Sequence, residues 1–178
     1  MKRRPIPSSA WAKIRLFAMD VDGILTDGGV YISSDKTETK RFCIIDGLGL
    51  VLVRASGVDL AWVSGRASMA TTLRATELKI PHLIQGRKDK LEALEELASR
   101  LAIPLSACAY KGDDFIDAPA IRAAGIGITV PTALPAAIAA ADYVTRSHAG
   151  YGAVREVCDL ILAARSPAAR NLKTRKRT

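Results

Sequence analysis

Three carboxylates near the start of the chain have a spacing that suits metal chemistry. Asp20, Asp22 and Asp27 follow a largely apolar run from Ile14 to Met19, which predicts a buried strand. Strand alternation sends the side chains of Asp20 and Asp22 to one face, and at the carboxyl end of the strand both can reach one pocket. Carboxylates are costly to bring together without a cation, so the spacing predicts a Mg²⁺ site.

A hydroxyl and an arginine follow a second predicted strand. In Ser64-Gly65-Arg66 the Ser64 hydroxyl could donate to a phosphoryl oxygen, together with nearby backbone N–H groups. The alternative is that Ser64 caps the next helix. Arg66 is either a substrate contact or a solvent-exposed charge, so this turn is a candidate binding loop whose details stay open.

Lys90 stands at the start of a predicted amphipathic helix. A lysine in the first turn is unfavourable against the helix dipole unless it faces an anion, and this favours a functional role. Two further basic residues lie just before it. We interpret Lys88 as a solvated charge and leave Arg87 undecided.

Acidic residues cluster again after a later predicted strand. Gly112, Asp113 and Asp114 follow that strand, and Asp117 lies on the same helical face. One interpretation is helix capping by Asp113 or Asp114, since acids suit the first turn of a helix. Asp117 would repel them unless a metal ion or Lys90 is close, so a metal site is the second interpretation.

Together these motifs resemble those of the haloacid dehalogenase-like phosphatases. The string Asp-Val-Asp-Gly-Ile-Leu-Thr-Asp-Gly begins at Asp20, and Ser64, Lys90 and Gly-Asp-Asp follow in the family's order. The resemblance implies that Asp20 is an aspartyl nucleophile and Asp22 a general acid/base. It also implies catalytic roles for Ser64 and Lys90, with Lys90 neutralising the charges of the phosphate and the nucleophile.

The same resemblance implies a cofactor and its ligands. Mg²⁺ would be bound by the Asp20 carboxylate, the Asp22 backbone carbonyl and the Asp113 carboxylate. Asp114 would support the site by holding a metal-bound water or Lys90. The role of Asp117 stays open.

Further features are similar to those of the 3-deoxy-D-manno-octulosonate 8-phosphate phosphatases. They are Asp-Gly-x-x-Tyr at 27–31, Phe42, Asp-Gly-x-Gly at 46–49, Gln-Gly at 85–86, and the segments 141–144 and 152–157. This narrower resemblance implies a phosphomonoester hydrolase for a phosphorylated sugar acid in lipopolysaccharide biosynthesis. The alternatives are a phosphatase for another sugar acid, of the nonulosonate 9-phosphate type, or a non-catalytic tetramerisation module. Substrate-binding roles are implied for Gly65, Arg66, Asp46 and Gly47.

Three positions depart from the pattern of that family. Ile45 and Tyr151 stand where related proteins often have a basic residue, and Lys111 stands where an aliphatic residue is usual. A substrate carboxylate normally binds Arg or Lys, so the sugar phosphate itself is left open. Arg66, Arg87, Lys111 or a tail arginine from a neighbouring chain could take the place of the missing partners.

The elements that position these residues alternate between strands and helices. The predicted strands cover residues 14–19, 58–63, 82–84, 107–111, 127–130 and 143–144, with helices between them. This alternation predicts an α/β fold, a doubly wound parallel sheet of the Rossmann-like, haloacid dehalogenase type, with function at the carboxyl ends of its strands. A chain of 178 residues suits one such domain, which we expect at residues 14–164.

A β-hairpin at about residues 29–45 takes the place of a globular cap. Strand-like runs at 30–33 and 40–45 form it, and a helix is predicted to begin at Asp46. Its alternating apolar residues would lack a partner in a monomer; they are Val30, Ile32, Phe42 and Ile44. Members of the capless type are homotetramers whose hairpins associate, so we expect neighbouring subunits to cover the active sites.

The net charge of +8 is concentrated at the two ends of the chain. Residues 1–13 and 165–178 carry ten basic residues and no acidic one, so the remainder is slightly acidic. We interpret the first segment as a basic N-terminal extension and the second as a flexible tail. Nucleic acid is therefore not an expected partner, although binding through the basic ends is an alternative.

Cysteine usage and hydropathy bear on location. Cys43, Cys108 and Cys158 are odd in number and far apart, which argues against a disulfide framework and favours a reducing cytoplasm. No apolar core of a signal peptide is evident near the N-terminus. The most apolar run, residues 123–141, is interrupted by two prolines, so we expect no contact with a membrane.

Overall fold

Eight strands are found in the computed structural model, which describes residues 5–166. In chain order they are β1 (Leu16–Met19), β2 (Tyr31–Ile32), β3 (Glu38–Thr39), β4 (Asp59–Val63), β5 (His82–Ile84), β6 (Cys108–Lys111), β7 (Ile126–Thr129) and β8 (Tyr143–Val144). Six of them pair in parallel in the order β5-β4-β1-β6-β7-β8, and β2 and β3 form a separate antiparallel pair. The predicted doubly wound parallel sheet is confirmed, and each predicted strand of the sheet is found within two residues of its expected ends.

Seven α-helices occur in the same part of the chain. They are α1 (Ser8–Trp11), α2 (Ile44–Ala55), α3 (Met69–Glu77), α4 (Lys90–Arg100), α5 (Ala118–Ala123), α6 (Pro135–Ala140) and α7 (Ala153–Arg165). Helix α7 packs on α1 and α2, while α5 packs on α4 and α6. Right-handed crossovers toward one edge of the sheet and then the other place these two groups on opposite faces. Among residues 5–166, no helix combines the length and the apolar character needed to cross a bilayer.

The sheet is buried because helices cover both of its faces. Every residue of β1, β6 and β7 is buried, as expected for parallel strands with near-continuous apolar sequences. Strand β1 lies between β4 and β6. The carboxyl ends of these three strands therefore meet at one edge of the sheet, where the segments carrying the candidate site residues begin.

Both ends of the domain extend beyond the range predicted from the charge pattern. Trp11 of α1 is buried and stacks edge-on against Tyr143, with ring centroids 5.7 Å apart. Arg165 closes α7 and donates to the carbonyls of Ile14 and Ser56. The apolar area of Trp11 and the hydrogen bonds of Arg165 explain why these segments join the fold. Residues 1–4 and 167–178, which hold most of the basic extension and tail, lie outside the described residues.

The hairpin differs from the prediction in its second strand. Strand β3 ends at Thr39, and residues 40–43, predicted to be extended and paired, are not in a strand. Helix α2 begins at Ile44, before the expected start at Asp46. The cause is that this segment turns inward: Lys40 is buried, and the Phe42 ring stacks on Trp62 at a centroid distance of 6.2 Å. Phe42 therefore does not belong to an exposed apolar face of the hairpin, as the alternation suggests.

Candidate active site

The carboxyl ends of β4, β1 and β6 form a pocket of about 400 Å³. Eight residues predicted from the sequence line it: Asp20, Asp22, Ser64, Gly65, Arg66, Lys90, Asp113 and Asp114. Lys88, Phe115 and Ile116 complete the lining. Asp20 directly follows β1, Ser64 directly follows β4, and Asp113 comes two residues after β6. The strand order thus brings together residues that are far apart in the sequence.

Lys90 forms an ion pair with Asp20. Its Nζ lies 2.7 Å from Asp20 Oδ1 and also donates to the Val63 carbonyl. The lysine is wholly buried, which is tolerable for an ammonium that is paired and hydrogen-bonded. The Asp89 side chain caps α4 by accepting from Glu92 N at 2.9 Å, and this fixes the helix start from which Lys90 projects.

Three carboxylates around the pocket form a site of high negative charge. Asp20, Asp113 and Asp117 each offer an oxygen within 4.8 Å of the others. Burial, followed by the negative charge of Asp117, raises the pKa of Asp20 to about 6, although Lys90 opposes the shift. Burial and the charges of Asp20 and Asp117 raise the pKa of Asp113 to about 7. A cation among these oxygens would relieve both the burial cost and the repulsion.

Two observations show that the residues present fit Mg²⁺. Asp113 Oδ1 is buried and accepts no hydrogen bond within residues 5–166, so one hard oxygen ligand is free. Gly23 allows the backbone after Asp22 to approach it, because a Cβ there would lie 2.2 Å from Asp113 Oδ2. The Asp20 and Asp113 carboxylates thus offer oxygen ligands to an ion here, and Gly23 lets the backbone next to Asp22 come close to them.

Asp117, whose role the sequence leaves open, holds the Gly-Asp-Asp loop. Its carboxylate accepts from the Tyr110 hydroxyl at 2.8 Å and from the backbone N–H groups of Asp113 and Asp114 at 3.2 and 3.1 Å. A Cβ at Gly112 would lie 2.4 Å from the Asp117 side chain, which explains the glycine there. Helix capping by Asp113 or Asp114 is not the main role of this loop, because α5 begins only at Ala118.

Asp22 has a partner that sequence reasoning missed. Lys40 Nζ lies 2.7 and 2.9 Å from the two Asp22 carboxylate oxygens and 3.3 Å from Thr71 Oγ1. The contact joins residues 18 positions apart across the whole hairpin. A single sequence carries no signal for it, since Lys40 stands in a run that reads as an ordinary strand.

The turn after β4 is shaped by polar contacts. Ser64 lines the pocket, and its hydroxyl donates to the Arg66 carbonyl at 2.8 Å, so it organises this turn. Ser68 caps α3, so the alternative in which Ser64 is the helix cap is wrong. Arg66 lines the pocket, and its guanidinium pairs with Glu38 of the hairpin, which also accepts from the Ser68 hydroxyl.

Asp46 and Gly47, for which substrate-binding roles are expected, lie outside this pocket. Neither residue lines the pocket, and both are buried in α2. The Asp46 carboxylate accepts from the backbone N–H groups of Gly152 and Arg155 at 3.2 and 2.6 Å, so it caps α7. Gly47 allows close packing, since a Cβ there would lie 2.5 Å from the Arg74 guanidinium.

Two of the proposed replacements for the missing basic residues also lie outside the pocket lining. Lys111 is wholly buried outside the pocket lining, and burial lowers its pKa to about 7, although Asp46 opposes the shift. Arg87 pairs with Glu96 and Glu92 on the surface of α4. Neither cation faces the pocket, so neither is placed to bind a substrate carboxylate there.

A different arginine lies beside Tyr151. The Arg41 guanidinium stacks over the Tyr151 ring, 4.2 Å from its centroid, and donates to the Gly150 carbonyl at 3.0 Å. It also approaches Asp27 to 3.7 Å. A Cβ at Gly152 would lie 3.2 Å from Ile45 Cδ1, so Ile45 and Tyr151, two of the three departures from the family's pattern, border this loop.

Sequence comparison identifies a matching protein family and relatives that share one name. A family model described as haloacid dehalogenase-like hydrolase matches residues 60–157. The chain is 42% identical over 163 residues to the 3-deoxy-D-manno-octulosonate 8-phosphate phosphatase of Escherichia coli strain K12, covering 90% of this chain and 87% of that protein. The protein of the same name from Yersinia pestis is 44% identical over 153 residues, which are 86% of this chain and 82% of that one.

Solved structures with the same fold include proteins of the same name. That of Moraxella catarrhalis, in complex with magnesium ion, phosphate ion and KDO, has a TM-score of 0.88 and 49% identity, covering 94% of this chain and 96% of that chain. The cobalt-bound form of the Haemophilus influenzae phosphatase has a TM-score of 0.84 and 33% identity, covering 88% and 91%.

Proposed function

The chain belongs to the haloacid dehalogenase-like hydrolases, and from this premise we propose that it is a Mg²⁺-dependent phosphatase for a phosphorylated sugar acid. The substrate favoured by its relatives is 3-deoxy-D-manno-octulosonate 8-phosphate. The observation that carries the proposal is the Asp20–Lys90 ion pair beside Asp113 at the end of the central strand. This arrangement offers a nucleophile, a cation for phosphate and a free metal ligand in one pocket.

In the first half-reaction Asp20 attacks the phosphorus atom. A new bond forms between an Asp20 carboxylate oxygen and phosphorus, and the bond between phosphorus and the sugar oxygen breaks with its electron pair left on that oxygen. The Asp22 carboxylic acid gives its proton to the departing oxygen, so the sugar leaves as an alcohol. Lys90 stabilises the negative charge of the phosphoryl oxygens.

In the second half-reaction water removes the phosphoryl group from Asp20. Asp22, now a carboxylate, accepts a proton from the water whose oxygen attacks phosphorus. The bond between phosphorus and the Asp20 oxygen breaks, inorganic phosphate leaves, and both carboxyl groups return to their starting states. Ser64 and the backbone near Gly65 border the same pocket and are our candidates for contacts to phosphoryl oxygens.

Bound Mg²⁺ supplies a positive charge that offsets those of the phosphate and the acids. We assign Asp20, the Asp22 carbonyl and Asp113 as its protein ligands, with Asp114 as a supporting residue at the pocket wall. Asp117 acts through the loop that it holds, because its two oxygens are occupied by Tyr110 and by backbone N–H groups.

We infer that the chain assembles as a homotetramer. Tyr31 and Ile32 of the hairpin are 62% and 73% exposed, a large apolar area for a free surface. Further exposed apolar residues lie on α2 and α3: Ile44, Leu48, Leu52, Met69 and Leu73. Of the exposed residues on α2, Ile44, Leu48 and Leu52 are spaced four residues apart and form one stripe, and Ile45 is exposed as well. Burial of these surfaces between subunits would place neighbouring chains near the open pocket.

A cytoplasmic location is part of the proposal. Cys43, Cys108 and Cys158 are free thiols, which suits a reducing compartment. The slightly acidic composition between the basic ends gives no support to nucleic acid as a partner.

A parallel assay of three esters tests the function. The purified chain is mixed with 3-deoxy-D-manno-octulosonate 8-phosphate, a nonulosonate 9-phosphate or p-nitrophenyl phosphate, in Mg²⁺ or in excess chelator, and phosphate release is measured. We expect the highest kcat/KM for the octulosonate ester and no turnover in chelator. A preference for the nonulosonate ester would change the proposed substrate to a nonulosonate 9-phosphate. No release from any ester would favour the non-catalytic module.

A further inference from the structure

We propose that Lys40 is a positioning residue that holds the Asp22 carboxyl group in place for proton transfer, an inference that rests on the proposed phosphatase function. Lys40 directly follows β3. Its Nζ contacts both Asp22 carboxylate oxygens, at 2.7 and 2.9 Å. Within residues 5–166, Lys40 supplies the one hydrogen bond found for this carboxylate, to Oδ2, and its one ion pair, while Oδ1 accepts no hydrogen bond.

Burial distinguishes the two partners. The Lys40 side chain is wholly buried, whereas that of Asp22 is 25% exposed and lines the pocket. A buried ammonium needs fixed polar partners, and Thr71 Oγ1 at 3.3 Å and Glu38 Oε1 at 4.0 Å complete its surroundings. Lys40 does not line the pocket, and among Asp22, Thr71 and Glu38 only Asp22 does, so Asp22 is its direct link to the reaction.

The two lysines of the site therefore serve different carboxylates. Lys90 pairs with Asp20, where the phosphoryl group is received, and Lys40 pairs with Asp22, where the proton is moved. A carboxylate without such a partner can occupy several rotamers. A displacement of about 1 Å in a reacting group can lower the rate on the order of 100-fold, so a misplaced Asp22 should slow the reaction measurably.

The segment that carries Lys40 is anchored on both sides. Before it, Glu38 pairs with Arg66 and accepts from the Ser68 hydroxyl. After it, the Phe42 ring stacks on Trp62 of β4. These contacts fix the backbone of Lys40 relative to the sheet, so its ammonium is held in a fixed position beside Asp22. The hairpin thus contributes to the chemistry of its own subunit, in addition to the assembly inferred above.

The effect of a poorly positioned Asp22 on the rate should depend on the leaving group. An alkoxide from a sugar needs the proton as it departs, whereas p-nitrophenolate can leave without one. The value of kcat/KM covers steps up to the first irreversible one, here the loss of the alcohol. The ratio of kcat/KM for an alkyl ester to that for p-nitrophenyl phosphate therefore reports the proton donation by Asp22.

The first experiment measures this ratio for wild type, Lys40→Met and Lys36→Met. Lys36 is an exposed lysine in the turn of the same hairpin and serves as the matched control. We expect Lys40→Met to lower the ratio by about 10-fold or more and Lys36→Met to leave it unchanged. The ratio does not depend on the fraction of folded enzyme, so reduced stability cannot imitate the effect. An equal loss for both esters, or none, would overturn the proposal.

The second experiment repeats the substitution in an Asp22→Ala background. If Lys40 acts only through Asp22, Lys40→Met should change kcat/KM by no more than about 2-fold there, and Lys40→Arg in the wild-type background should recover part of the ratio. A full additional loss in the Asp22→Ala background would contradict the inference. Absence of turnover by the wild type would instead contradict the phosphatase function, so the two failures are distinguishable.

Discussion

At the scale of single residues, the pocket combines carboxylates that repel one another with lysines that are buried beside them. Lys90 and Lys40 neutralise Asp20 and Asp22, but Asp113 has no cation within hydrogen-bonding distance in the described chain. The remaining negative charge is what a divalent ion would balance. Metal binding and protonation should therefore compete at Asp113.

A first prediction concerns the stability of the metal-free protein. Burial and neighbouring carboxylates raise the pKa of Asp113 from 3.8 to about 7 and that of Asp20 to about 6. Between the ordinary pKa of 3.8 and these raised values, the folded state binds more protons than the unfolded state. The free energy of unfolding therefore falls as pH rises from about 4 toward 7. In chelator, Tm should be lower at pH 7 than at pH 5, and Mg²⁺ should reverse much of the loss at pH 7.

Asp113→Asn is the matched variant for this prediction. It keeps the shape of the side chain and removes the charge, so thermal unfolding in chelator should show a weaker fall between pH 5 and pH 7. Its Tm should also respond less to Mg²⁺. Identical pH profiles for the variant and the wild type would show that burial and neighbouring carboxylates do not raise the pKa of Asp113.

Sequence reasoning located the residues of the pocket better than it located their partners. Asp20, Ser64 and Asp113 were predictable because strand ends in a parallel sheet meet at one edge. Lys40 was not, since its contact with Asp22 depends on how the hairpin turns back over the sheet. Asp46 lies outside the pocket and caps a distant helix, and in sequence such an acid looks the same as one that contacts substrate.

At the scale of elements, tertiary contacts override the local sequence pattern in the second half of the hairpin. Residues 40–45 alternate and are rich in β-formers, so they predict a strand. In the structure the pairing ends at Thr39, because Lys40 and Phe42 find partners in Asp22 and Trp62. The central strands were predictable because their apolar runs are buried on both faces.

A second prediction concerns the cap that α2 provides for α7. Asp46→Ala removes the acceptor of two backbone N–H groups and the acid whose charge favours protonated Lys111. We expect a loss of about 2–4 kcal/mol in the free energy of unfolding, measured with urea. KM for the phosphate ester should stay at the wild-type value in the folded variant.

Asp159→Ala is the control for this substitution. Asp159 is half exposed and pairs with Arg155 four residues earlier on the same helix, so its loss should cost no more than about 0.5 kcal/mol. A large rise in KM for Asp46→Ala, with little change in stability, would instead support the substrate-binding role expected from the sequence.

At the scale of the whole molecule, the described chain leaves its pocket open. The pocket is bordered by Phe115, an exposed aromatic side chain, and no inserted domain lies between β1 and β4. A phosphoryl-enzyme pathway benefits when the site excludes bulk water. Contact with neighbouring subunits would supply such a cover, and exposed apolar residues on the hairpin, α2 and α3 are available for it.

A third prediction therefore addresses assembly. Ile32→Asp places a charge on a highly exposed apolar side chain of β2 and should disperse the tetramer that we propose, as measured by light scattering. Phe42 is unsuitable for this test, because it packs on Trp62 within the subunit. The dispersed variant should lose discrimination among sugar phosphates more than it loses hydrolysis of p-nitrophenyl phosphate.

Ser99→Asp is the control for the assembly prediction. It adds the same charge at an exposed position of α4, in the group of helices on the face opposite α2, and should leave the oligomer intact. A wild-type chain that is monomeric at assay concentration and fully selective would contradict the view that subunits complete the site.

The central claim is that the phosphoryl group passes through Asp20, and turnover by Asp20→Asn tests it most directly. The substitution nearly keeps the shape of the side chain and removes the nucleophilic carboxylate. With Mg²⁺ and 3-deoxy-D-manno-octulosonate 8-phosphate, kcat should fall on the order of 10³-fold or more, while Tm stays near or above that of the wild type. Turnover by purified Asp20→Asn at a rate close to wild type, above that of a mock preparation, would contradict it.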